Sequence, residues 1–159
     1  MTDLHLITAL MAANSDAVGF IPLPDLQHRF VDRGRYLVTR DRRAVRRGYL
    51  IHGPVHIDRT VHIHQAVIDV DHRRRILGTA MIEEFLDRAA AAGATRAILR
   101  CADDLDAIQF WRSLGAVKIA SLEGGKRRNR SITVFSLPTL GKPNPSRAAY
   151  GPFACLHGS

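Results

Sequence analysis

The apolar positions of this chain repeat with a helical period in some stretches and form short β-branched runs in others. The helical period predicts four helices, at residues 2–13, 24–33, 73–92 and 104–114. The apolar runs predict six strands, at residues 35–39, 44–52, 60–70, 95–101, 117–122 and 130–137. We expect Gly53 and Pro54 to end the second strand, and a short strand near residues 2–8 is an alternative to the first helix.

The most informative stretch joins the third strand, an arginine-rich turn and the longest helix. Arg73, Arg74 and Arg75 precede Gly78 at the predicted start of this helix. The N-terminus of a helix has unpaired N–H groups and the positive end of the helix dipole, so it binds phosphate oxygens. Arginines add charge and bidentate donors. The stretch therefore predicts a pyrophosphate site, although no G-K-[ST] follows and it is not a Walker A loop.

At these residues the chain resembles the GNAT acyltransferases, whose signature is a strand followed by [QR]-x-x-G-x-[GA] at a helix start. Two registers fit, Arg75–Ala80 and Arg73–Gly78; the flanking residues favour the second, in which Ile76 replaces the first glycine. The resemblance implies an α/β (α+β) fold, with a mixed, mostly antiparallel twisted sheet flanked by helices and a splayed central strand pair. It also implies that the turn binds the pyrophosphate of acetyl-CoA. The alternative is a solvated turn of an ordinary α/β domain.

A second stretch, residues 104–115 (DLDAIQFWRSLG), resembles the family pattern N-x-x-A-x-x-F-Y-x-x-L-G-F. In many members the asparagine helps to hold the CoA arm and the tyrosine protonates the departing thiolate. Here Asp104 and Trp111 occupy these positions. Because an indole N–H is only a donor, Trp111 cannot be the acid. We expect Trp111 to pack in the helix core or against the pantetheine.

The resemblance assigns site residues by position. The cofactor-binding candidates are Ile68, Asp69, Val70, Arg73, Arg74, Arg75, Ile76, Leu77, Gly78, Thr79, Asp104 and Trp111. A backbone N–H near residues 68–70 is expected to hold the thioester oxygen. The candidate catalytic residues are His64 and Asp69, with His62 as a further candidate base. Tyr36, Tyr49 and Ser113 are open alternatives as proton donors, and a water-relayed mechanism needs none of them. No metal is expected.

Composition and charge narrow the class of protein. The 159 residues suit one domain, expected at residues 1–137, followed by an extended tail at 138–159 that is rich in Pro, Gly and Ser. No apolar run is long enough to span a bilayer, and Cys101 and Cys155 form no disulfide framework, so a cytoplasmic location is expected. The net charge of +8 favours an anionic partner, which includes CoA, nucleic acid or an acidic protein.

These observations predict an acetyl-CoA-dependent N-acetyltransferase with an unknown amine acceptor. Two alternatives stay open. Ile76, Asp104 and Trp111 depart from the family pattern, which leaves room for an acyl-CoA-binding protein without turnover. The arginine-rich hairpin at residues 40–47 and the basic loop at 126–130 are either solvated surface or phosphate contacts, and the second reading makes a nucleic acid or aminoacyl-tRNA the acceptor. A homodimer is also left open.

Overall fold

A computed structural model describes residues 2–73, 76–124 and 130–139 of the chain, which form a six-stranded sheet with helices on both faces. The strands are β1 (Tyr36–Arg40), β2 (Arg46–Val55), β3 (Thr60–Ile68), β4 (Arg96–Ala102), β5 (Val117–Glu123) and β6 (Ser131–Pro138). The helices are α1 (Asp3–Ala13), α2 (Ser15–Val18), α3 (Leu23–Asp25), α4 (Leu77–Ala91) and α5 (Ala107–Ser113). A π-helical stretch, Leu26–Val31, extends α3, and a 3₁₀ turn, Val70–His72, lies between β3 and α4.

The strand order is β1-β2-β3-β4-β6-β5. Every neighbouring pair is antiparallel except β3 and β4, which are parallel and are joined through α4. A parallel pair needs such a crossover, because its two strands run in the same direction. The predicted mixed, mostly antiparallel sheet flanked by helices is confirmed.

Three predicted boundaries were wrong, and one alternative element is excluded. β2 continues through Gly53 and Pro54 to Val55. The pairing of β1 with β2 extends only as far as Ile51 of β2, so Pro54 removes no hydrogen bond between these two strands. α4 begins at residue 77 rather than 73, and Arg73 has extended dihedral angles. α5 begins at residue 107 rather than 104. Residues 3–13 are helical, which excludes the alternative strand near residues 2–8.

Two apolar layers cover the sheet, one on each face. On one face α4 and α5 contribute Met81, Ile82, Phe85, Ile108 and Trp111 to the larger core. On the other face α1 and the π-helical stretch contribute Ile7, Met11, Leu26 and Phe30. Strand residues alternate between these layers because successive side chains of a strand point to opposite faces. Different helices therefore cover the two faces of the sheet, and the space between β3 and β4 lies between the two layers.

The described chain ends just beyond β6. Thr139 is buried, its N–H donates to Thr95 O at 3.0 Å, and its hydroxyl donates to Ala94 O at 2.6 Å. Thr139 is therefore fixed to the loop before β4. The rest of the predicted tail, residues 140–159, lies outside the described residues. In the described part of the chain, no helix combines the length and apolar character needed to cross a membrane.

Candidate active site

A gap opens between β3 and β4 in the middle of the sheet. The two strands pair only from Thr60 to Ile63 on β3 and from Arg96 to Leu99 on β4. Both strands then continue, to Ile68 and Ala102, without pairing to each other. This is the splayed strand pair that the resemblance implies. Backbone N–H and C=O groups along the two facing edges are left without a strand partner, and those that no side chain occupies are available to a ligand.

The direction of the backbone at the end of β3 selects one donor for this gap. The N–H of Asp69 points away from the gap, because it donates to Arg47 O at 2.7 Å on the β2 side. Since successive residues of a strand direct their N–H groups to opposite edges, the N–H of Ile68 faces the gap. Within residues 68–70, Asp69 is therefore excluded as the backbone donor for a thioester oxygen, and Ile68 has the required direction.

The N-terminus of α4 supplies a second set of free donors. No side chain caps it, and among the described residues the first intrahelical bond runs from Ala80 N–H to Ile76 O at 2.9 Å. Within that part of the chain, the N–H groups of residues 77–79 have no intrahelical acceptor. A methyl group placed on Gly78 would lie 3.7 Å from the side chain of Ile68, so the helix starts against the end of β3. An anion bound here would lie next to the gap.

Of the three arginines in the turn, the structure describes Arg73. The guanidinium of Arg73 donates to Ile68 O at 3.2 Å and to the side-chain oxygen of Asn14. Arg73 therefore ties the end of β3 to the end of α1, and its side chain is already engaged within the protein. Arg74 and Arg75 lie outside the described residues. Ile76, the residue that replaces the family glycine, is 44% exposed beside the free helix terminus.

The two departures in the second motif have structural partners. Asp104 lies after β4, and its carboxylate accepts two hydrogen bonds from Arg130, at 2.9 and 3.0 Å. Trp111 is buried in the larger core, with its ring 5.2 Å from that of Phe110. Asp104 thus anchors the start of β6, and Trp111 packs α5 onto the sheet. This placement agrees with a packing role for Trp111.

His64 lies where β3 leaves β4. It directly follows Ile63, the last residue of β3 paired with β4, and the β2–β3 register also shifts here. Its ring meets Phe30 edge-on at 5.4 Å, on the face covered by α1 and the π-helical stretch. Partial burial, followed by the positive potential of His62 and Arg29, lowers the pKa of His64. The neutral imidazole that a base requires is therefore favoured near neutral pH.

The other candidate proton carriers are held elsewhere. Asp69 is five residues from His64 along β3, about 16 Å in an extended strand, and its carboxylate faces Arg47 at 3.8 Å and His72 at 3.3 Å. The structure does not bring the two predicted catalytic residues together. The hydroxyl of Tyr49 is buried and donates to Gln65, and that of Ser113 donates to Phe110 O. Tyr36 lies beside Asp3.

His62, the further candidate base, lies within the paired part of β3, opposite Ile98 of β4. Partial burial and the adjacent His56 lower the pKa of His62. The rings of His62 and His56 are 5.3 Å apart. Because its strand edge is still closed by β4, His62 is further from the opening of the gap than His64 is.

A cavity of about 440 Å³ borders the gap on the α2 face. Arg100 and Ala102 line it, and both lie beyond Leu99, where β4 has separated from β3. Arg130 closes another side and donates to Asp16 O at 2.8 Å. Sequence reasoning missed Arg100 as a lining residue. The signal was present, since a charged residue interrupts the apolar strand ILRC at an alternating position.

The arginine-rich hairpin is largely paired within the protein. Arg46 binds Asp3 at 2.5 Å and Arg47 binds Asp41 at 2.8 Å. Arg42 and Arg43 are exposed in the turn. In the second basic cluster, residues 126–129 lie outside the described chain, and Arg130 is the one described member. The described charges thus favour the reading of a solvated hairpin edge.

Comparison with protein families identifies the class of protein. The model of the Acetyltransferase (GNAT) family matches residues 5–116, and the chain belongs to this family. The match covers the helices of the α1 face, the gap between β3 and β4, and both α4 and α5. No curated protein matches the sequence of the chain. Among the described residues, no group of three or more His, Cys, Asp or Glu side chains is placed to hold a metal ion.

Solved structures share the fold at low sequence identity. The ribosomal-protein-S18-alanine N-acetyltransferase of Escherichia coli is 19% identical, with a TM-score of 0.67 over 91% of this chain and 93% of that chain. Ard1 of Thermoplasma volcanium is 17% identical, with a TM-score of 0.73 over 87% and 93%. Spermidine N-acetyltransferase of Vibrio cholerae, solved with CoA and spermine, is 16% identical, with a TM-score of 0.71 over 86% and 90%.

Proposed function

We propose that this protein transfers an acetyl group from acetyl-CoA to an amine in the gap between β3 and β4. The observation that carries the proposal is the convergence of free backbone donors at one place. Ile68 N–H faces the gap, and the uncapped N–H groups of residues 77–79 begin beside it. The first suits a thioester oxygen, and the second suits a pyrophosphate. Membership of an acetyltransferase family supports the same donor.

In the proposed reaction, a neutral amine nitrogen attacks the thioester carbon. The carbonyl oxygen gains negative charge, which Ile68 N–H stabilises. The C–S bond then breaks, and the electron pair leaves with the CoA thiolate. His64 accepts the proton that the amine loses, and the thiolate regains a proton from His64 or from water. An amide and free CoA are the products, so atoms and charges balance.

This scheme does not need a tyrosine acid at position 111. An ordinary thiol has a pKa of about 8.5, so a thiolate leaves without being protonated in the transition state. Trp111 can therefore serve the core while turnover continues. The alternative of a CoA-binding protein without turnover predicts tight acetyl-CoA binding and no release of CoA with any amine. Measuring thiol release across a panel of amines separates the two functions.

The charge around the cavity bears on the acceptor. Arg100 and Arg130 line it together with one acidic residue, Asp16, and His64 lies on the same face of the sheet. Arg130 is paired with Asp104, and Asp16 offsets Arg100, so the charge of the cavity by itself selects neither a polycation nor an acidic amine. A panel of amines with different charges is therefore needed to identify the acceptor.

Acetyl-CoA binding at the α4 N-terminus is tested with Thr79→Glu and its neutral match, Thr79→Gln. A glutamate at this position folds back onto free N–H groups of the helix terminus and repels phosphate. Because an acidic residue in the first turn also favours the helix dipole, the variant should fold normally. We expect Thr79→Glu to weaken acetyl-CoA binding at least about 30-fold, a loss of about 2 kcal/mol, and Thr79→Gln to bind within about threefold of the wild type.

The measurement is isothermal titration calorimetry with acetyl-CoA, alongside thermal unfolding of each variant. Equal affinities of a folded Thr79→Glu and Thr79→Gln would place the pyrophosphate elsewhere. The pair is more informative than a substitution of Gly78. A side chain at Gly78 would reach Phe110 of α5, so a large residue there would disturb helix packing as well as binding.

A further inference from the structure

A second cavity, of about 310 Å³, lies at the opposite end of α4 from the proposed acetyl-CoA site. The last turns of α4 form one wall, through Phe85, Arg88, Ala89 and Ala92. The start of β1 and the irregular end of β2 form the other. From residue 78 to residue 92 an α-helix advances about 21 Å, so the two sites are well separated. The volume is at the small end of the range for ligand pockets.

The lining of this second cavity combines an apolar floor with positive charge. Leu37, Phe85 and Ala89 are buried side chains of the floor. The charged lining residues are Arg33, Arg35 and Arg88. None of the described residues that line this cavity is acidic. Arg88 is paired with Glu84, so the charges of Arg33 and Arg35 are the ones that lack an acidic partner among the described residues, and an anion would offset them.

The partners of these arginines leave donors available. Arg88 donates from Nε to Glu84 at 2.7 Å, which leaves its terminal nitrogens for another acceptor. The side chains of Arg33 and Arg35 make no hydrogen bond or salt bridge to the residues that the structure describes. Arg35 is half-buried and Arg33 is exposed at the rim of the cavity. Each guanidinium fork matches the two oxygens of a carboxylate.

His52 adds a polar but uncharged group to the same cavity. Its Nδ1 lies 2.8 Å from Gly53 O, to which it donates, and its ring packs 5.1 Å from Phe85. Burial, and then the positive potential of Arg35 and Arg88, lower the pKa of His52. The positive charge of the cavity therefore comes from the arginines alone near neutral pH.

We propose that this cavity is a second ligand site, which binds a small organic anion with one carboxylate and an apolar body. The carboxylate lies between Arg33 and Arg35, and the apolar body lies against Phe85 and Ala89. The site is independent of the acetyl-transfer site, because the two share no lining residue. Occupancy fixes the end of α4 to the start of β1.

The test uses 3-phenylpropionate as the probe and 3-phenylpropan-1-ol as its uncharged match, titrated into the ¹⁵N-labelled full chain. We expect the acid to shift the amide signals of Gly34 and Ala89, and to bind at least about tenfold more tightly than the alcohol, as expected for one charge-assisted interaction. Saturating acetyl-CoA should leave this affinity unchanged. No shifts at about 10 mM acid, or equal binding of the alcohol, overturns the proposal.

Substitutions of single arginines test which positive charges bind the carboxylate. Arg35→Gln and Arg33→Gln should each weaken binding of the acid about tenfold or more. Arg42→Gln is the matched control, because it makes the same charge change in the exposed turn after β1, at the other end of that strand. Arg33 is exposed, so its variant tests the site even if Arg35→Gln does not fold. Equal affinities of Arg33→Gln and Arg42→Gln overturn the proposal, as does competition by acetyl-CoA.

Discussion

His64 illustrates how a single residue acquires a role from its position in a strand. Along β3 it follows the last residue paired with β4, and it occupies the point where the register with β2 changes. An irregularity of this kind redirects a side chain out of the regular alternation. The imidazole consequently packs on Phe30 at the mouth of the gap rather than under a neighbouring strand. A histidine one residue earlier would be enclosed by regular pairing.

We predict that His64→Gln lowers kcat/KM about 100-fold, the usual contribution of a general base. A base must be neutral to act, and burial lowers the pKa of His64. The acidic limb of the wild-type pH profile should therefore fall below the ordinary histidine pKa of about 6.5. The profile of kcat/KM against pH, measured at saturating acetyl-CoA, checks this. His62→Gln is the control and should keep the limb; a limb lost in His62→Gln but kept in His64→Gln would assign the base to His62.

Two buried residues, Cys101 and Tyr49, are unsuited to replace the missing tyrosine acid. Cys101 faces the larger core, and burial raises the pKa of its thiol to about 11. Burial likewise raises the pKa of Tyr49, whose hydroxyl is bound to Gln65. Neither group lies at the gap with a free proton. The proposed reaction accordingly uses a base, a backbone donor and a good leaving group.

Among the elements, two glycines show how closely β2 and α4 approach their neighbours. A methyl group on Gly48 of β2 would lie 2.5 Å from Val67 O, a backbone atom that cannot move alone. A methyl group on Gly78 of α4 would lie 3.4 Å from the ring of Phe110, which is ordinary contact. The first glycine is required by the spacing of two strands. At the second position an alanine would fit, and only a side chain larger than a methyl group would clash.

We predict opposite effects of the two alanine substitutions on the free energy of unfolding. Gly48→Ala should destabilise the protein by about 1–3 kcal/mol, because β2 or β3 must shift. Gly78→Ala should be neutral or stabilising by up to about 1 kcal/mol, since alanine is the better helix former. Urea unfolding at pH 7.5 measures both. Destabilisation of Gly78→Ala by as much as Gly48→Ala would show that the α4–α5 contact tolerates no added atom.

Hydrophobic periodicity predicted the elements well and their ends less well. α4 was recognised from Leu77, Met81 and Phe85, yet its start could not be placed, because three arginines are compatible with either a turn or a helix. β2 can continue through Pro54 because β1 does not pair with this part of β2. That is a property of the sheet and not of the local sequence. Element type follows from local pattern, whereas element boundaries depend on neighbours.

For the molecule as a whole, the site is assembled from contacts between distant parts of the chain. Arg73 reaches Asn14 at the end of α1, and Arg130 reaches both Asp16 and Asp104. The proposed phosphate site could be inferred from the sequence because it lies on one continuous stretch of the chain. The cavity beside the gap was not predictable, since its wall joins α2 to β4 and β6. A sequence motif can therefore predict hydrogen-bond donors that lie on one segment. It cannot predict a cavity whose wall is formed by several distant segments.

The partly buried histidines also affect the stability of the whole fold. Burial lowers the pKa values of His52, His62 and His64 in the folded state, so the unfolded chain binds more protons below pH 7. Stability therefore rises with pH through the unfolded value of about 6.5 and is lost as the pH falls below it. The carboxylates with lowered pKa values, Asp32, Asp41 and Asp58, have an ordinary value near 3.8 and titrate below this window.

We predict that the free energy of unfolding falls between pH 7.5 and pH 5.5, and that His52→Gln reduces this fall. His52 packs on Phe85 in the larger core, so protonation places a charge against an apolar wall and beside Arg35. Glutamine is polar but does not titrate, and it removes that cost while retaining a hydrogen-bond donor for Gly53 O. Urea unfolding of both proteins at the two pH values gives the comparison as a double difference. An equal fall in the wild type and in His52→Gln would mean that the acid sensitivity comes from other groups, with His62 and His64 the next to replace.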